Sequence, residues 1–498
     1  MRETSYQQLE RRFRRLSALA EAEAVLHWDL AAVMPKGGAQ ARSNQMAELK
    51  AVRHAMLTAP EIGDLIAAAA DAADGLDPWQ RANLREMRRS WIKATALGED
   101  LVVALAKAEM ACERVWRTAR PEGNFALVRP YLEELLKLVG EAARAKADKQ
   151  ALAPYDALLD DYEPDCRSAD LDLLFAELES FLPGFLTQVL EKQAREGTPV
   201  TLEGPFSQAQ QEALGRRLMH ALGFDFDHGR LDVSLHPFCG GVPDDVRITT
   251  RYDEADFTSS LMAVLHETGH ALYERGLPKA WRGQPVGGAL GMSMHEGQSL
   301  LIEMQVCRSR PFMEFAAPLM REAFGGDGPA WSPDNLHRLY SRVRPDFIRV
   351  DADEVTYPAH VILRYRLEKA MIGGGLAVAD LPGAWNEGME KLLGLRPPSD
   401  REGCLQDVHW YDGAWGYFPT YTLGAMTAAQ LFDAASRADP AIPTGIATGD
   451  FKPLVGWLAA HVHGKGSLKT ARELLTEVTG KPLDPGVFTG HLKARYLD

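Results

Sequence analysis

The segment at residues 257–276 constrains the fold most, because it favours one helix and places two histidines on the same face. It reads FTSSLMAVLHETGHALYERG. His266 and His270 are four residues apart, so in a helix they project from one side. Imidazole nitrogens at this spacing can bind one metal ion, and the alternative is an ordinary helix with a buried histidine pair. Glu267 is rotated about 100° from His266 around the helix, which favours a general base acting on water over a ligand.

A catalytic zinc site needs a third protein ligand and an open position. The segment MSMHEGQSLL at residues 292–301 follows a Gly- and Pro-rich stretch and is predicted to begin a second helix. If the two helices pack antiparallel, Glu296 reaches the metal, and spacing alone leaves His295 as the rival ligand. Glu303 lies two turns after Glu296 and is a candidate to orient a ligand imidazole. No histidine follows six residues after His270, which excludes a metzincin.

The rest of the chain is predicted to be mainly helical and to form a single domain over residues 1–498. Residues 99–119 and 131–152 carry apolar side chains at three- and four-residue spacing, and no repeat or low-complexity linker interrupts the chain. β-type alternation occurs at 231–236 and again at 246–250, on either side of a Gly/Pro segment. This pattern indicates a small hairpin or sheet just before the histidine-bearing helix.

Composition limits the partners of the chain. Its 498 residues include 55 Lys and Arg against 69 Asp and Glu, a formal net charge of −14. Nucleic-acid binding needs a basic surface, so we expect no nucleic-acid partner. No apolar run approaches the length of a membrane span, and the N-terminal segment lacks the apolar stretch of a secretory signal. Five scattered cysteines without a CxxC fit reduced thiols in the cytoplasm.

Several segments, in this order, match the motifs of a known family. They are LHWD at 26–29, YDALLDDYEP at 155–164, HPF at 236–238, DVRIT at 245–249, HETGH at 266–270, HEGQ at 295–298 and GCLQDVHW at 403–410. Together they resemble the carboxypeptidase Taq family of zinc-dependent peptidases, and the resemblance spans nearly the whole chain.

The resemblance implies a mainly α fold, a helical two-lobed body with a deep central groove like neurolysin and angiotensin-converting enzyme, with the small β-sheet beside the metal helix. It implies release of single residues from the C-termini of peptide substrates, with broad specificity and with C-terminal proline disfavoured. The metal would be zinc, with cobalt as a substitute in some preparations. The enzyme would be a cytoplasmic homodimer without a membrane partner.

Water attack on a peptide bond creates an oxyanion that needs hydrogen-bond donors. Similar enzymes use a His and a Tyr, so the aromatic and Gly-rich segment 409–421 is the predicted source, through His409 with Tyr417 or Tyr421. The alternative is an aromatic packing loop. His236, in the predicted sheet region, is a candidate to lie at a sheet edge that pairs with an extended peptide, or is a turn histidine beside proline.

A carboxypeptidase must also recognise a free carboxylate, for which arginine supplies a bidentate fork. Arg349 is the first candidate, supported by the resemblance, and its alternative is a salt bridge to Asp351 or Asp353. Arg247 is the second candidate. Its alternative is a strand residue that pairs with Asp245.

Two other functions fit the same zinc motif or the same fold. An endopeptidase or a dipeptidyl carboxypeptidase would share the motif, because the shape of the groove decides which bond is cut. A non-catalytic peptide-binding protein would have no use for Glu267 as a base. The resemblance and the arginine candidates favour a carboxypeptidase that removes one residue at a time.

Overall fold

The computed structural model describes residues 3–498, which are mainly α-helical. The helices are α1 (Ser5–Ala32), α2 (Ala39–Thr58), α3 (Pro60–Asp71), α4 (Pro78–Ala94), α5 (Glu99–Glu122), α6 (Phe125–Gln150), α7 (Pro154–Leu159), α8 (Ser168–Glu196), α9 (Gln208–Ala221), α10 (Phe257–Gly276), α11 (Gly291–Leu300), α12 (Arg310–Phe324), α13 (Pro333–Tyr340), α14 (Tyr357–Ile372), α15 (Leu381–Leu393), α16 (Pro419–Ala438), α17 (Ala441–Thr448), α18 (Lys452–His461), α19 (Ala471–Thr479) and α20 (Pro485–Tyr496). The strands are β1 (Gly229–Val233), β2 (Phe238–Val242) and β3 (Asp245–Thr250).

The helical predictions are confirmed. Helices α5 and α6 cover the two segments with apolar three- and four-residue spacing, and α6 ends at Gln150. Helix α10 coincides with the predicted histidine-bearing helix. Asp256 caps its start, since the carboxylate accepts the backbone N–H of Thr258 at 2.8 Å. The predicted second helix is α11, which continues into a π-helical turn over Leu301–Cys307.

The sheet has three strands and is not a two-stranded hairpin. The two alternating segments form β1 and β3, which pair in parallel. The Gly/Pro segment between them forms β2, which pairs antiparallel with β3 and gives the order β1–β3–β2. Side-chain alternation does not reveal β2, because Gly240 and Gly241 have no side chains to alternate. Val246 and Ile248 of β3 pack in one core with Val264 of α10, so the sheet lies beside the histidine-bearing helix.

Two large apolar cores account for the two-lobed body. One joins α5–α8 with α14, α15 and α20, and the other joins α9–α13 with α17–α19. Helix α16 lies between them, with Leu423 and Met426 in the first core and Leu431 and Ala435 in the second. Burial of each large apolar side chain contributes about 1.5–3 kcal/mol to the free energy of folding, and burial of an alanine contributes less. Because α16 buries side chains in both cores, it holds the two lobes together. A cavity of about 520 Å³ opens between the lobes.

Helix α8 is long and apolar enough to span a membrane by length and composition, with a mean hydropathy of 1.3 over its most apolar stretch. Core helices can have the same length and apolarity. Phe175, Leu178 and Leu182 of this helix are buried in the first core. Its apolar character is therefore accounted for in part by packing within the protein.

Candidate metal centre and active site

His266 and His270 of α10 converge with Glu296 of α11. One potential ligand atom from each lies within 4.8 Å of the other two. Glu296 Oε2 is 3.7 Å from His266 Nε2 and 3.4 Å from His270 Nε2. Two donors that each lie about 2.0–2.1 Å from a tetrahedral zinc ion are about 3.4 Å apart. The spacing and the donor set of two imidazoles and one carboxylate therefore fit a single zinc ion.

Gly269 allows α10 and α11 to approach closely at this point. A Cβ atom at position 269 would lie 2.5 Å from the carbonyl oxygen of Gln298 and 2.6 Å from Cα of Ser299. Both distances are too short for a real contact. A larger residue would therefore push α11 away from α10, and Glu296 would move with it.

His266 is oriented by a carboxylate on its other nitrogen. Its Nδ1 lies 2.9 Å from Glu303 Oε2, and Glu303 Oε1 accepts a hydrogen bond from Arg308 Nη2 at 2.7 Å. A carboxylate at Nδ1 keeps the proton there and leaves Nε2 free to bind a metal. Glu303 thus makes the contact that its spacing from Glu296 predicts.

His295 lies behind His270 and outside the group of converging atoms. Its Nδ1 is 2.7 Å from His270 Nδ1, and its Nε2 is 2.9 Å from Glu274 Oε1. Both ring nitrogens of His295 are therefore engaged, which favours Glu296 over His295 as the third ligand. Glu274 was not identified from the sequence, although it follows His270 by four residues on the same helix.

Glu267 lies beside the converging ligands. It is 7% exposed and lines the cavity of about 520 Å³ together with His266 and Glu296. Burial raises the pKa of Glu267 to about 7. Burial acts in the same direction on Glu296, but His266 and His270 outweigh it and hold the pKa of Glu296 at about 2. The raised pKa of Glu267 suits a general base that works near neutral pH.

His409, Tyr417 and Tyr421 form one aromatic cluster. His409 Nε2 lies 3.2 Å from the Tyr421 hydroxyl, and the rings of Tyr417 and Tyr421 are 5.2 Å apart. Burial lowers the pKa of His409 to about 4, so its ring is neutral at pH 7. Burial raises the pKa of Tyr421 to about 12, and Glu296 adds to that rise. The cluster thus lies within electrostatic reach of Glu296 and carries protonated phenols.

Arg349 pairs with neither of the neighbours in sequence that were expected as its alternatives, Asp351 and Asp353. Its guanidinium donates to Asp407 at 2.8 Å and to the Tyr357 hydroxyl at 3.0 Å. The alternative of a local salt bridge is therefore wrong, because the chain brings Asp407 in from a distant segment. The Arg349 side chain is buried, with Tyr357 in the cavity wall beside it.

Asp407 is shared by two arginines. Arg364 Nη2 lies 2.6 Å from one carboxylate oxygen and Arg349 Nη2 lies 2.8 Å from the other. The two guanidinium groups hold the pKa of Asp407 well below its usual range, although burial opposes them. This trio carries one positive charge in excess. Among the described residues, Arg308 and Arg342 line the cavity at Glu267, whereas Arg349 and Arg364 do not. No feature of the local sequence distinguishes Arg342.

Arg247 and His236 are not among the converging residues. Arg247 Nη2 donates to Asp245 at 2.6 Å, the alternative expected from the sequence, and its guanidinium lies 4.3 Å from the centre of the Trp28 ring. His236 is exposed in the turn between β1 and β2. Strand β2 is at the sheet edge and helix α1 packs against it. Among the residues that the structure describes, the cavity at Glu267 is lined by neither Arg247 nor His236.

The fold and this site define a metallopeptidase, and comparisons with known proteins agree. The family model of carboxypeptidase Taq (M32) metallopeptidases matches residues 8–496. The chain is 39% identical over 504 residues to thermostable carboxypeptidase 1 of Thermus thermophilus, covering 99% of this chain and 98% of that protein. It is 34% identical over 488 residues to carboxypeptidase 1 of Bacillus subtilis, covering 97% and 96% of the two chains.

Solved structures give the same result. Metallocarboxypeptidase 1 of Trypanosoma cruzi superposes with a TM-score of 0.97 at 44% identity, covering 99% of each chain. An M32 carboxypeptidase of Deinococcus radiodurans superposes with a TM-score of 0.92 at 36% identity, again covering 99% of each chain. The chain belongs to the carboxypeptidase Taq (M32) family. It is a metallocarboxypeptidase, a hydrolase of peptides.

Proposed function

We propose that the protein is a zinc-dependent carboxypeptidase that releases single C-terminal residues, with Glu267 as general base. The observation that carries this proposal is the convergence of two imidazole nitrogens and the Glu296 carboxylate beside Glu267 in one cavity. His266, His270 and Glu296 would hold the metal. When bound, zinc supplies Lewis acidity that polarises the scissile carbonyl and makes water acidic enough to attack near neutral pH. Cobalt is the expected substitute.

Glu267 takes a proton from the attacking water and passes it to the leaving amine. Its burial in the cavity wall supports this role, because a partly desolvated carboxylate is a better base than one in bulk water. Non-catalytic peptide binding would not require a carboxylate at this position.

His409, with Tyr417 or Tyr421, donates hydrogen bonds to the oxyanion. The phenols keep their protons at neutral pH and the neutral imidazole keeps one N–H, so each can act as a donor. The short distance from His409 to Tyr421 supports a cooperating pair.

Arg349 binds the free carboxylate of the substrate, helped by the excess positive charge that it shares with Arg364 and Asp407. Specificity for the released residue is broad, since the cavity wall mixes apolar with charged side chains of both signs. C-terminal proline is disfavoured because the bond before it is a tertiary amide with no N–H and a fixed φ. Arg247 and His236 remain candidates for contacts with more distant parts of the peptide.

Cleavage of matched peptides separates this function from that of an endopeptidase or a dipeptidyl carboxypeptidase. We expect mass spectrometry to show stepwise loss of single residues from a peptide with a free C-terminus, and no cleavage of the same peptide after amidation. Internal cleavage of both peptides, or release of dipeptides, would contradict the proposal.

We also propose that the enzyme is a cytoplasmic homodimer whose partners are peptide substrates, with no nucleic-acid or membrane partner. The net charge of −14 and the unpaired cysteines of the described chain support this, as does the family resemblance. Sedimentation at several concentrations tests it, and a species with the mass of one chain at micromolar concentration would contradict the dimer.

A further inference from the structure

The turn between α7 and α8, residues 160–165, reaches the start of α11 from a distant part of the chain. The carbonyl oxygen of Tyr162 accepts the backbone N–H of Met292 at 2.8 Å. The carboxylate of Glu163 accepts the backbone N–H of Ser293 at 2.8 Å. The first N–H groups of a helix have no partner within it. The α7–α8 turn therefore caps the helix that carries Glu296.

The contact between Glu163 and α11 is tightly fitted. Glu163 is 4% exposed, and its Oε2 would lie 2.9 Å from a Cβ atom at position 291. Gly291 has a φ of +61°, which glycine adopts without strain. It also has no side chain that would collide with the Glu163 carboxylate. The partial positive charge at a helix start also favours a carboxylate there. Neither the sequence motifs nor the mechanism proposed above gives Glu163 a role.

The same turn touches the aromatic cluster. The ring of Tyr162 packs edge-to-face on the ring of Tyr417, with centroids 4.9 Å apart and an interplanar angle of 86°. Tyr417 in turn packs on Tyr421. One short segment therefore contacts both the metal-ligand helix and a candidate oxyanion donor.

The turn itself is held in place by Asp160, which is buried. Its carboxylate accepts the backbone N–H of Asp165 at 3.0 Å and pairs with Lys93 at 3.2 Å and with Arg167 at 3.3 Å. Together these contacts hold the ends of the turn to each other and to α4. Because the turn is held in place, it can fix the positions of α11 and Tyr417, which pack on it.

We propose that the α7–α8 turn is a positioning element for the active site. Through Glu163 it fixes α11, and with it Glu296, against the two histidines of α10. Through Tyr162 it fixes Tyr417 beside the reacting carbonyl. Glu163 and Tyr162 are not among the residues that line the cavity at Glu267, and they act through these neighbours. The inference rests on the proposed metal site and on the proposed role of Tyr417.

A matched pair of variants tests the first half of this proposal. E163D keeps the charge but shortens the reach to the N–H of Ser293, whereas E163Q keeps the reach and loses the charge. We expect zinc affinity, measured by competition with a chelating dye, to fall about tenfold in E163D and less than about threefold in E163Q. The control is D161N, an exposed carboxylate of the same turn that pairs with Lys146. Equal zinc affinity in E163D and wild type would overturn this half.

The second half is tested through the Tyr162 ring. We expect Y162L to lower kcat about tenfold while KM and zinc affinity stay within about twofold, because only the position of Tyr417 is disturbed. Y162F keeps the ring and should retain most of kcat. An unchanged kcat in Y162L, or a lowered zinc affinity in place of a lowered kcat, would contradict this half of the proposal. A wild-type protein that does not bind zinc would remove the proposed function itself, whereas unchanged affinity in E163D would remove only this inference.

Discussion

The Nδ1 atoms of His270 and His295 lie 2.7 Å apart, so one ring donates a hydrogen bond and the other accepts it. If His270 binds a metal through Nε2, its proton is on Nδ1 and His295 Nδ1 is the acceptor. The proton of His295 is then on Nε2, which faces Glu274 at 2.9 Å. The hydrogen bonds from His270 to His295 and from His295 to Glu274 therefore fix the tautomer of His270, one of the proposed ligands.

Replacing His295 with phenylalanine should weaken metal binding without removing a ligand. The Nδ1–H of His270 would lose its acceptor, and loss of such a contact costs about 10–100-fold in metal affinity. The measurement is zinc affinity by competition with a chelating dye. H461F is the control, because His461 is exposed and packs on Trp457, outside the group of converging atoms. Wild-type affinity in H295F would contradict this assignment, and a complete loss of zinc would favour His295 as a ligand.

Replacing Arg349 with alanine should raise KM for peptides with a free C-terminus on the order of 10–100-fold, since a charge-assisted hydrogen bond contributes about 1.5–3 kcal/mol. Asp407 keeps its pair with Arg364, so the fold should be preserved. Steady-state kinetics on a blocked dipeptide provide the test. R342A is the comparison variant, because Arg342 lines the cavity at Glu267. If R342A raises KM and R349A does not, Arg342 holds the carboxylate.

The free energy of unfolding should fall in acid, in part because the buried carboxylate of Glu354 becomes protonated. Glu354 accepts hydrogen bonds from His491 at 2.8 Å, Arg495 at 2.9 Å and Tyr496 at 3.1 Å, which tie α20 to the cavity wall. Burial raises the pKa of Glu354, but Arg495 and His491 outweigh it and hold the pKa at about 2. A carboxylate with a lowered pKa stabilises the fold above its unfolded pKa of about 4.3, and this contribution is lost as the pH falls toward 2.

The expected contribution of Glu354 at neutral pH is about 3 kcal/mol, since one unit of pKa corresponds to 1.36 kcal/mol. Urea midpoints measured between pH 7 and pH 3 should therefore decline less steeply in E354Q than in wild type, from a lower value at pH 7. E322Q, at an exposed position, should follow the wild-type curve. Parallel curves for E354Q and wild type would show that Glu354 does not carry this pH dependence.

The convergence of His266, His270 and Glu296 could be predicted from the sequence because it follows from local helix geometry. The spacing from His266 to His270 needs only a helix, and Glu296 needs only a second helix nearby. The choice between Glu296 and His295 required tertiary structure, because adjacent residues on a helix point about 100° apart and either could face α10. The buried position of Glu267 likewise follows from how the lobes pack.

The sequence could not predict contacts that join distant segments. For Arg349 the sequence offered only the local residues Asp351 and Asp353 as alternative partners, yet its partner Asp407 lies 58 residues away. The strand β2 was missed because Gly240 and Gly241 have no side chains to form an alternating pattern. The contact of Glu163 with α11 joins residues 130 positions apart. Such contacts follow from the packing of the two lobes.

In the proposed mechanism Glu267 is the base of a metal-dependent hydrolysis and not a ligand. The most direct test of this role is to measure zinc content and turnover of a blocked dipeptide on the same preparation of E267Q. We predict about one zinc per chain, as in wild type, and a loss of turnover of at least about 10²-fold, because general-base catalysis contributes about 10²–10⁴-fold. Retained turnover in zinc-loaded E267Q would contradict the account.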